Sequence, residues 1–398
     1  MSKRKKILFV SARLPFPAIE GHQIRAFGVL SQLAKEFEVH LLSILRSGEV
    51  VNSEDDLGLL CSSIKGVALD NNILSDFRAG LSGVIKRQPL VVAKYVTSNL
   101  KKEFLKQLEL IKPDIVHLDL LPLAGLIGLI PKNIKIVLNE HNIESNLIQQ
   151  KLLTLDSWFS KKLYQRELKQ LTDFERSSCK SVDLVLACSD QDVIGLKALG
   201  AEQVHCIPNG VDAERLKPNN TNKLEKTLVF LGGMSWYPNR LGIIWFLEEV
   251  FPLILKLDPD VCLQIIGNPE PWVTVPEGVK ENVEKLGFVD DFIPYVQNSA
   301  LMIVPLNVGS GTRLKVVEGL ALGKCIVSTT KGAEGVGLTH GKDILFADSP
   351  HEFAEQVIQA IQSSNIISDI ELKARKIAEE KYDWNVIGEN LYNIYSVI

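Results

Sequence analysis

Short apolar runs, separated by amphipathic stretches, recur along the whole chain and predict alternating strands and helices. Residues 49–112 are the least regular, with turn signals and amphipathic helices only. Strands are predicted at Ile7 to Val10, Val39 to Ile44, Pro113 to Asp119, Ile134 to Leu138, Val182 to Ser189, Val204 to Pro208, Thr227 to Leu231, Val261 to Gly267, Val283 to Phe288, Ala300 to Pro305 and Cys325 to Val327. Helices are predicted at 23–37, 152–176, 190–199, 351–363, 369–381 and 384–398.

This alternation on both sides of Asp212 indicates an α/β protein with two doubly wound, Rossmann-like domains and a cleft between them. A chain of 398 residues is also longer than one ordinary hydrophobic core. We expect a first domain over 1–212, a polar linker over 213–226, a second domain over 227–380 and a closing helix over 381–398.

The segment from Pro305 to Val327 contains the most specific pattern: a buried strand, a glycine loop, a helix and another strand. Thr312 is the predicted N-cap of the helix, and Gly323 follows its last turn. One apolar face is predicted to consist of Leu314, Val317, Leu320 and Ala321.

The glycine loop has the properties of a phosphate site. Gly309 and Gly311 flank Ser310, and the free amides of the next helical turn face the same point. Arg313 and Lys315 add positive charge. Glu318 lies roughly 9 Å further along the helix at 1.5 Å per residue, a suitable distance for a carboxylate that accepts ribose hydroxyls, although a solvated helix glutamate has the same pattern.

This segment resembles the C-terminal signature of glycosyltransferase family 4, in which two glutamates eight residues apart bind a sugar nucleotide. Glu318 matches the second glutamate, which holds the ribose, whereas Ser310 stands at the place of the first, which contacts the donor sugar. The run Gly309 to Lys315 is similar to a variant found in bacterial surface-polysaccharide transferases. The resemblance implies a GT-B fold, with Thr312 and its neighbours at the donor.

Further donor residues follow from the same resemblance. Gly21 matches a glycine of the first loop near the diphosphate, and Arg25 is a second candidate there or a solvated surface residue. Gly233 and Asn239 stand where most members have an arginine and a lysine. We infer that Arg313 and Lys315 supply the missing charge, because a departing diphosphate needs cationic or dipolar stabilisation.

Polar residues at two strand ends in the first domain are the catalytic candidates. His117 and Asp119 end one strand, and by spacing Asp119 is the better match to a family histidine. His141 and Glu144 follow the next strand, where the polysaccharide subgroup has a similar pattern. For His141 the alternative is a structural histidine. Arg313 is the catalytic candidate in the second domain.

Composition and charge narrow the class of protein. Apolar residues make up 46% and charged residues 23%, which excludes disorder and fibrous repeats. The six cysteines have no paired spacing and the seven histidines no ligand spacing, so we expect no metal and no cofactor beyond the donor substrate. We also expect no transmembrane helix, no signal peptide and a cytoplasmic location.

Two basic segments could contact an anionic membrane at its inner face. One is residues 86–112, and the other combines Trp158 and Phe159 with Lys161 and Lys162. A solvated helix face and a core helix are the respective alternatives. Nucleic acid is not expected, because no aromatic platform accompanies the charges.

The resemblance thus implies a retaining glycosyltransferase that moves a sugar from a UDP-sugar or GDP-sugar to a glycan or lipid-linked acceptor. No G-x-G-x-x-G motif follows a strand, which argues against a nicotinamide enzyme. Two alternatives remain: a sugar-nucleotide epimerase, which would turn over donor alone, and a non-catalytic sugar-nucleotide-binding partner, which would form no product.

Overall fold

A computed structural model describes residues 4–52, 55–69, 88–153, 155–219, 224–268, 273–309 and 313–398. The chain divides into two compact units. The first unit is Met1–Pro208 together with Gly388–Ile398, and the second is Asn209–Ile387. The boundary therefore lies at Pro208 rather than at the predicted Asp212, and the closing helix is divided between the units.

The described part of the first unit contains a parallel sheet of seven strands in the order β3-β2-β1-β4-β5-β6-β7. Its centre is buried on both faces, which explains why β1 and β4 consist mainly of apolar residues. The strands are β1 Lys6–Ser11, β2 Glu38–Leu45, β3 Ser63–Ala68, β4 Ile115–Asp119, β5 Lys135–Asn139, β6 Leu184–Ala187 and β7 Val204–Cys206.

The second unit has, over its described residues, a parallel sheet of six strands in the order β10-β9-β8-β11-β12-β13. In both sheets the strand order reverses direction beside the first strand, which defines the doubly wound arrangement. The strands are β8 Leu224–Leu231, β9 Cys262–Ile266, β10 Val283–Gly287, β11 Ser299–Val304, β12 Ile326–Ser328 and β13 Leu345–Phe346.

Helices connect these strands. Several begin at serine caps, as at Ser189 and Ser349, whose side chains accept amides of the first turn. The α-helices are α1 Gly21–Glu36, α2 Asp56–Leu60, α3 Leu90–Tyr95, α4 Ser98–Ile111, α5 Glu144–Leu153, α6 Trp158–Lys180, α7 Asp190–Leu199, α8 Tyr237–Trp245, α9 Phe251–Leu257, α10 Ile293–Asn298, α11 Leu314–Ala321, α12 Pro350–Gln362, α13 Ser364–Ile377 and α14 Trp384–Val397.

Three predictions about individual elements are wrong. Strand β3 lies in the segment for which only turns and helices are predicted, because its partly exposed residues lack a continuous apolar run. The single helix predicted over 152–176 is two helices, α5 and α6. The N-cap of α11 is Arg313, and the predicted cap Thr312 lies outside the described residues.

Within the described residues, none of the helices is both long enough and apolar enough to span a bilayer.

The second unit depends on a close contact between helix α8 and the end of strand β11. A Cβ atom added at Gly242 would lie 2.6 Å from the carbonyl oxygen of Pro305, and a backbone oxygen has little room to move. We therefore expect Gly242→Ala to lower the free energy of unfolding by about 1–3 kcal/mol, the range for overpacking.

Gly278→Ala is the matched control, because a Cβ atom there meets no other atom within 4 Å. Chemical denaturation of both variants measures the difference. Equal stability of Gly242→Ala and the control would show that this contact does not constrain the unit.

Candidate active site

The loop after strand β11 and helix α11 carry the predicted donor site of the second unit. Ser310, Gly311 and Thr312 lie outside the described residues. Gly309 has a φ of +112°, a conformation that favours glycine. A Cβ atom there would lie 2.6 Å from Nη2 of Arg313. The close approach that this glycine permits is therefore made by the guanidinium of Arg313.

Arg313 is buried at the start of helix α11, and its Nη2 donates to the carbonyl oxygen of Val308 at 3.4 Å. Burial lowers the pKa of its guanidinium, while the charge of Glu334 acts in the opposite direction. Arginine still remains protonated at neutral pH. The structure thus holds a positive charge against the glycine loop.

Lys315 connects this helix to the loop after strand β8. Its Nζ donates to Oδ1 of Asn239 at 2.7 Å, and the amide of Asn239 donates to the carbonyl oxygen of Gly233 at 2.9 Å. Nζ also lies 4.6 Å from the centre of the Phe230 ring. Burial and the charge of Arg313 lower the pKa of Lys315 to about 7. The predicted donor residues Gly233, Asn239 and Lys315 therefore form one cluster.

Gly233 itself is open: a Cβ atom would meet only Ser235 Oγ, at 3.8 Å. The adjacent Gly232, with φ +155°, is the crowded position, because a Cβ atom there would lie 2.6 Å from Nζ of Lys315. The two glycines therefore have different roles, one packed against the lysine and one accessible.

Glu318 lies one turn further along helix α11, partly buried. Among the described residues no hydrogen-bond donor contacts its carboxylate. Burial raises its pKa to about 7, against the opposing charges of Lys315 and Arg215. A half-buried acid without a partner costs stability, so this position is not that of an ordinary solvated helix glutamate.

In the first unit, the ends of strands β4 and β5 bring Asp119 and His141 together. Oδ1 of Asp119 lies 2.8 Å from Nε2 of His141. It also accepts a hydrogen bond from the side-chain Nδ2 of Asn139 at 2.8 Å. Burial alone would raise the pKa of Asp119, but the charge and hydrogen bond of His141 and the nearby imidazole of His117 hold this pKa well below its usual range. An ionised aspartate thus orients the imidazole of His141.

The backbone directly after Asp119 is strained. Leu120 has a φ of +99°, which side-chain-bearing residues rarely adopt, and its amide donates to the carbonyl oxygen of Asn139. The strand end is therefore held in a fixed direction where the polar side chains converge.

Two predicted site residues are structural in this unit. His117 is fully buried, stacked on Phe9 at 4.2 Å, and cannot touch a substrate. Arg25 is also buried: it donates to the carbonyl oxygen of Ile207 at 2.7 Å and to Oδ1 of Asn139 at 2.8 Å. Neither alternative weighed for Arg25, donor contact or surface solvation, fits this position. Arg25 holds Asn139, which in turn holds Asp119.

Glu144 belongs to a different group of side chains. It is the first residue of helix α5, and its amide donates to Oε1 of Glu175 at 2.8 Å. Burial and the charge of Glu175 raise the pKa of Glu144 to about 7. Glu140 is buried beside them, with its pKa raised well above the usual value by burial and by Glu175. Glu144 therefore lies in an acidic cluster and is not bonded to Asp119 or His141.

His22, which follows the predicted donor residue Gly21, is missed by the sequence analysis. Gly21 is the exposed first residue of helix α1, with open space around its Cα. Burial lowers the pKa of His22 to about 4. Its Nε2 is buried without a hydrogen-bond partner among the described residues. Only the fold reveals this, because His22 comes near His141 through tertiary structure.

Glu140 and Glu175 are also absent from the predicted residues. Glu140 stands in the polar run between Asn139 and Glu144, which could have suggested it. Glu175 lies in helix α6, about 30 residues after Glu144. No sequence pattern around it indicates that it contacts Glu144. In the described part of the chain, no group of three or more histidines, cysteines and acids is arranged to hold a metal.

Two family models match the chain. The model of Glycosyltransferase Family 4 matches residues 19–215, and that of Glycosyl transferases group 1 matches residues 225–363. Both describe sugar-transferring enzymes, and together they span most of both units. The chain belongs to the group 1, family 4 glycosyltransferases.

A curated relative is the uncharacterized 44.6 kDa protein in the cps region of Klebsiella pneumoniae, 24% identical over 173 residues. The match covers 42% of this chain and 45% of that protein, so less than half of either is aligned.

Solved structures of GT-B glycosyltransferases have the same fold. Sucrose-phosphate synthase from Thermosynechococcus elongatus has a TM-score of 0.71 at 14% identity, and the match covers 99% of both chains. HepE from Anabaena, solved with UDP, has a TM-score of 0.67 at 15% identity over 99% of this chain and 100% of that one. The predicted GT-B fold is confirmed.

The raised pKa of Glu318 generates a prediction about stability. A carboxyl with a native pKa of about 7 binds more protons in the folded than in the unfolded chain between pH 4.5 and 7. Stability from this group is therefore present below pH 4.5 and is lost as the pH rises through 7. We expect Glu318→Gln to be more stable than the wild type by about 1–3 kcal/mol at pH 8 and equal to it near pH 4.5.

Urea denaturation at both pH values measures this difference. Glu355→Gln, an exposed position on helix α12, is the control and should match the wild type at both. A Glu318→Gln variant less stable than the wild type at pH 8 would contradict the unpartnered, desolvated state of this carboxylate.

Proposed function

We propose that the protein is a retaining glycosyltransferase that moves a sugar from a nucleoside-diphosphate sugar to a glycan or lipid-linked acceptor. The observation that carries the proposal is the cluster at the start of helix α11, where the basic side chains of Arg313 and Lys315 and a carboxylate that accepts no hydrogen bond from the described residues lie within two helical turns. Cations suit a diphosphate, and the carboxylate suits a pair of ribose hydroxyls.

In the proposed arrangement the donor lies across this cluster in one orientation. The diphosphate would lie at the glycine loop, where Arg313 and the first amides of helix α11 neutralise its charge. Lys315 is fixed by Asn239 and needs no reorganisation to add a second charge. Glu318, further along the helix, would then accept from the ribose. Negative charge builds on the departing diphosphate, and fixed donors stabilise it better than mobile water does.

The first unit would supply the acceptor side. Asp119 orients His141, whose imidazole can hold or receive a proton from a sugar hydroxyl. His22 is neutral at pH 7 because its pKa is lowered, so its orphan Nε2 is available to a hydroxyl as well. Arg25 donates a hydrogen bond to Asn139, and the side chain of Asn139 donates one to Asp119, so both residues keep Asp119 in place.

The class of donor is supported by relatives. HepE was solved with UDP and with UDP-glucose, and TarM from S. aureus with UDP and a glycosylated glycerol. A UDP-sugar is therefore the first donor to test, with GDP-sugars second. The cps-region relative supports a role in surface-polysaccharide synthesis. We propose that no metal takes part, because the cationic side chains supply the charge that a divalent ion would otherwise provide.

The proposal predicts distinct effects for two residues of helix α11. Glu318→Ala should weaken donor binding by about 1.5–3 kcal/mol, the range for hydrogen bonds to a charged group. Arg313→Ala should lower kcat more than donor affinity, because its contact strengthens as charge develops on the leaving group. Calorimetric titration and steady-state kinetics, both in EDTA, measure these changes.

Glu355→Ala is the control for both variants. Donor binding by Glu318→Ala that equals the wild type would refute the assignment of this helix. Turnover of donor without any acceptor would instead favour an epimerase, and tight donor binding with no product would favour a non-catalytic partner. Activity that EDTA abolishes and magnesium restores would refute the metal-free mechanism.

We further propose that helices α5 and α6 contact an anionic membrane. Leu153 is 83% exposed, Trp158 73% and Phe159 72%. Nζ of Lys162 lies 5.2 Å above the Trp158 ring, so a positive charge accompanies the apolar side chains. The C-terminal half of α6 is packed instead, with Leu171 buried. The alternative of a core helix therefore applies to the C-terminal half of α6, and the exposed N-terminal half is the proposed membrane contact.

We expect the double variant Trp158→Ala/Phe159→Ala to lose most binding to vesicles that contain anionic lipid, because the apolar contact area is removed. Co-sedimentation at low and high salt measures it, and binding of the wild type should weaken with salt. Leu372→Ala, 73% exposed in the second unit, is the control. Wild-type binding to anionic vesicles that does not exceed binding to neutral ones would refute the membrane contact.

A further inference from the structure

The last helix ends in the first unit and reaches the candidate site from behind. Tyr395, near the end of α14, is fully buried, and its hydroxyl oxygen lies 2.5 Å from Nδ1 of His117. The ring of Tyr395 also packs on Phe37, at 5.9 Å between centroids. The Tyr395 hydroxyl is therefore held in a fixed position, where it makes a hydrogen bond with Nδ1 of His117.

The two nitrogens of His117 face different groups. Nδ1 faces the hydroxyl of Tyr395. Nε2 lies 4.0 Å from Oδ1 of Asp119, too far for a hydrogen bond, and has no hydrogen-bond partner among the described residues, so the carboxylate acts on it through its charge. A carboxylate opposite Nε2 favours the tautomer that carries its proton there. Nδ1 is then an acceptor, so the Tyr395 hydroxyl donates to it. The opposite tautomer would direct a lone pair at the carboxylate of Asp119.

Burial keeps both partners of this pair neutral, while the neighbouring charges act on them in opposing directions. The groups that face them are Arg25 from helix α1, Asp119 from strand β4 and His141 from the loop after β5. Burial lowers the pKa of His117 and raises the pKa of Tyr395 well above its ordinary value. The phenol therefore remains a donor, and the imidazole remains able to accept.

We propose that Tyr395 is a positioning residue of the candidate site, which fixes His117 in the tautomer whose N–H is directed toward the Asp119 carboxylate, 4.0 Å away. Asp119 is then ionised and aligned with His141, the group that would meet the substrate. The inference rests on the proposed function, since it assigns to Tyr395 an effect on the transfer step. The last helix, α14, would then contribute to the transfer step through Tyr395, in addition to packing on the first unit.

The variant Tyr395→Phe removes the hydroxyl and keeps the ring. We expect kcat to fall about tenfold, which corresponds to roughly 1.4 kcal/mol, the contribution of one hydrogen bond. The donor KM should stay within about twofold, because the proposed donor contacts lie on the second unit. The pH dependence of kcat should also change, since the surroundings of the ionised Asp119 carboxylate are altered. Tyr392→Phe, on the same helix but 47% exposed, is the control.

A double-variant cycle separates positioning from packing. Gln at position 117 offers an amide N–H toward Asp119 and has no tautomer to fix. In His117→Gln the further change Tyr395→Phe should therefore cost less than about twofold in kcat, whereas a packing role predicts the same loss in both backgrounds. Equal losses, or a Tyr395→Phe variant with the kcat and pH profile of the wild type, would overturn the proposal.

A spectroscopic arm is independent of transferase activity. In the full chain labelled with 15N-histidine, Nδ1 of His117 should give the shift of an unprotonated acceptor, assigned through His117→Gln. Tyr395→Phe should move both this signal and that of His141. Unchanged histidine signals would refute the positioning role even if transfer is observed. Shifted signals in a chain without transferase activity would support the positioning and leave only the proposed function refuted.

Discussion

Parallel strands that are covered on both faces leave only their ends for polar chemistry, and this constraint organises both units. Apolar residues predominate in the central strands β1 and β4, which end in the polar residues Ser11 and Asp119. The same holds in the second unit, where β11 ends before the loop that leads to Arg313. Each polar group at such an end must then be satisfied by its neighbours, because water does not reach the strand interior.

The two units meet this requirement differently. In the first unit a chain of hydrogen bonds from Arg25 through Asn139 to Asp119 and His141 satisfies the last residues of strands β4 and β5. In the second unit the satisfaction is incomplete, since burial shifts the pKa values of both Lys315 and Glu318 to about 7. A ligand with negative charge and hydroxyl groups would remove that deficit, which is the physical reason to expect one.

Much of the fold could be predicted from the sequence, because buried parallel strands are continuous apolar runs. The runs around Ile7, Ile115 and Ala300 became strands close to the predicted positions. Strand β3 could not be predicted in this way, since Lys65 and Gly66 interrupt it and, among the described strands, it pairs with β2 alone. The division between α5 and α6 has no strong breaker such as proline or glycine in the sequence.

The candidate site was predictable only in part. Glu318, Arg313 and Lys315 share a short segment, so spacing brings them together. Asp119 and His141 could be expected at neighbouring strand ends. The burial of His117 and Arg25, the orphan nitrogen of His22 and the contact of Tyr395 with His117 depend on residues far apart in the chain. No local pattern encodes these contacts.

The central claim is that helix α11 and the loop after strand β8 hold a nucleoside diphosphate without a metal. Hydrogen exchange of the full chain, measured with and without UDP and GDP in excess EDTA, tests it most directly. The account predicts slower exchange in peptides that cover Leu314–Ala321 and the loop at Gly232 and Gly233, with the rest of the second unit little changed. Exchange in these peptides that neither nucleotide alters at saturating concentration would contradict it.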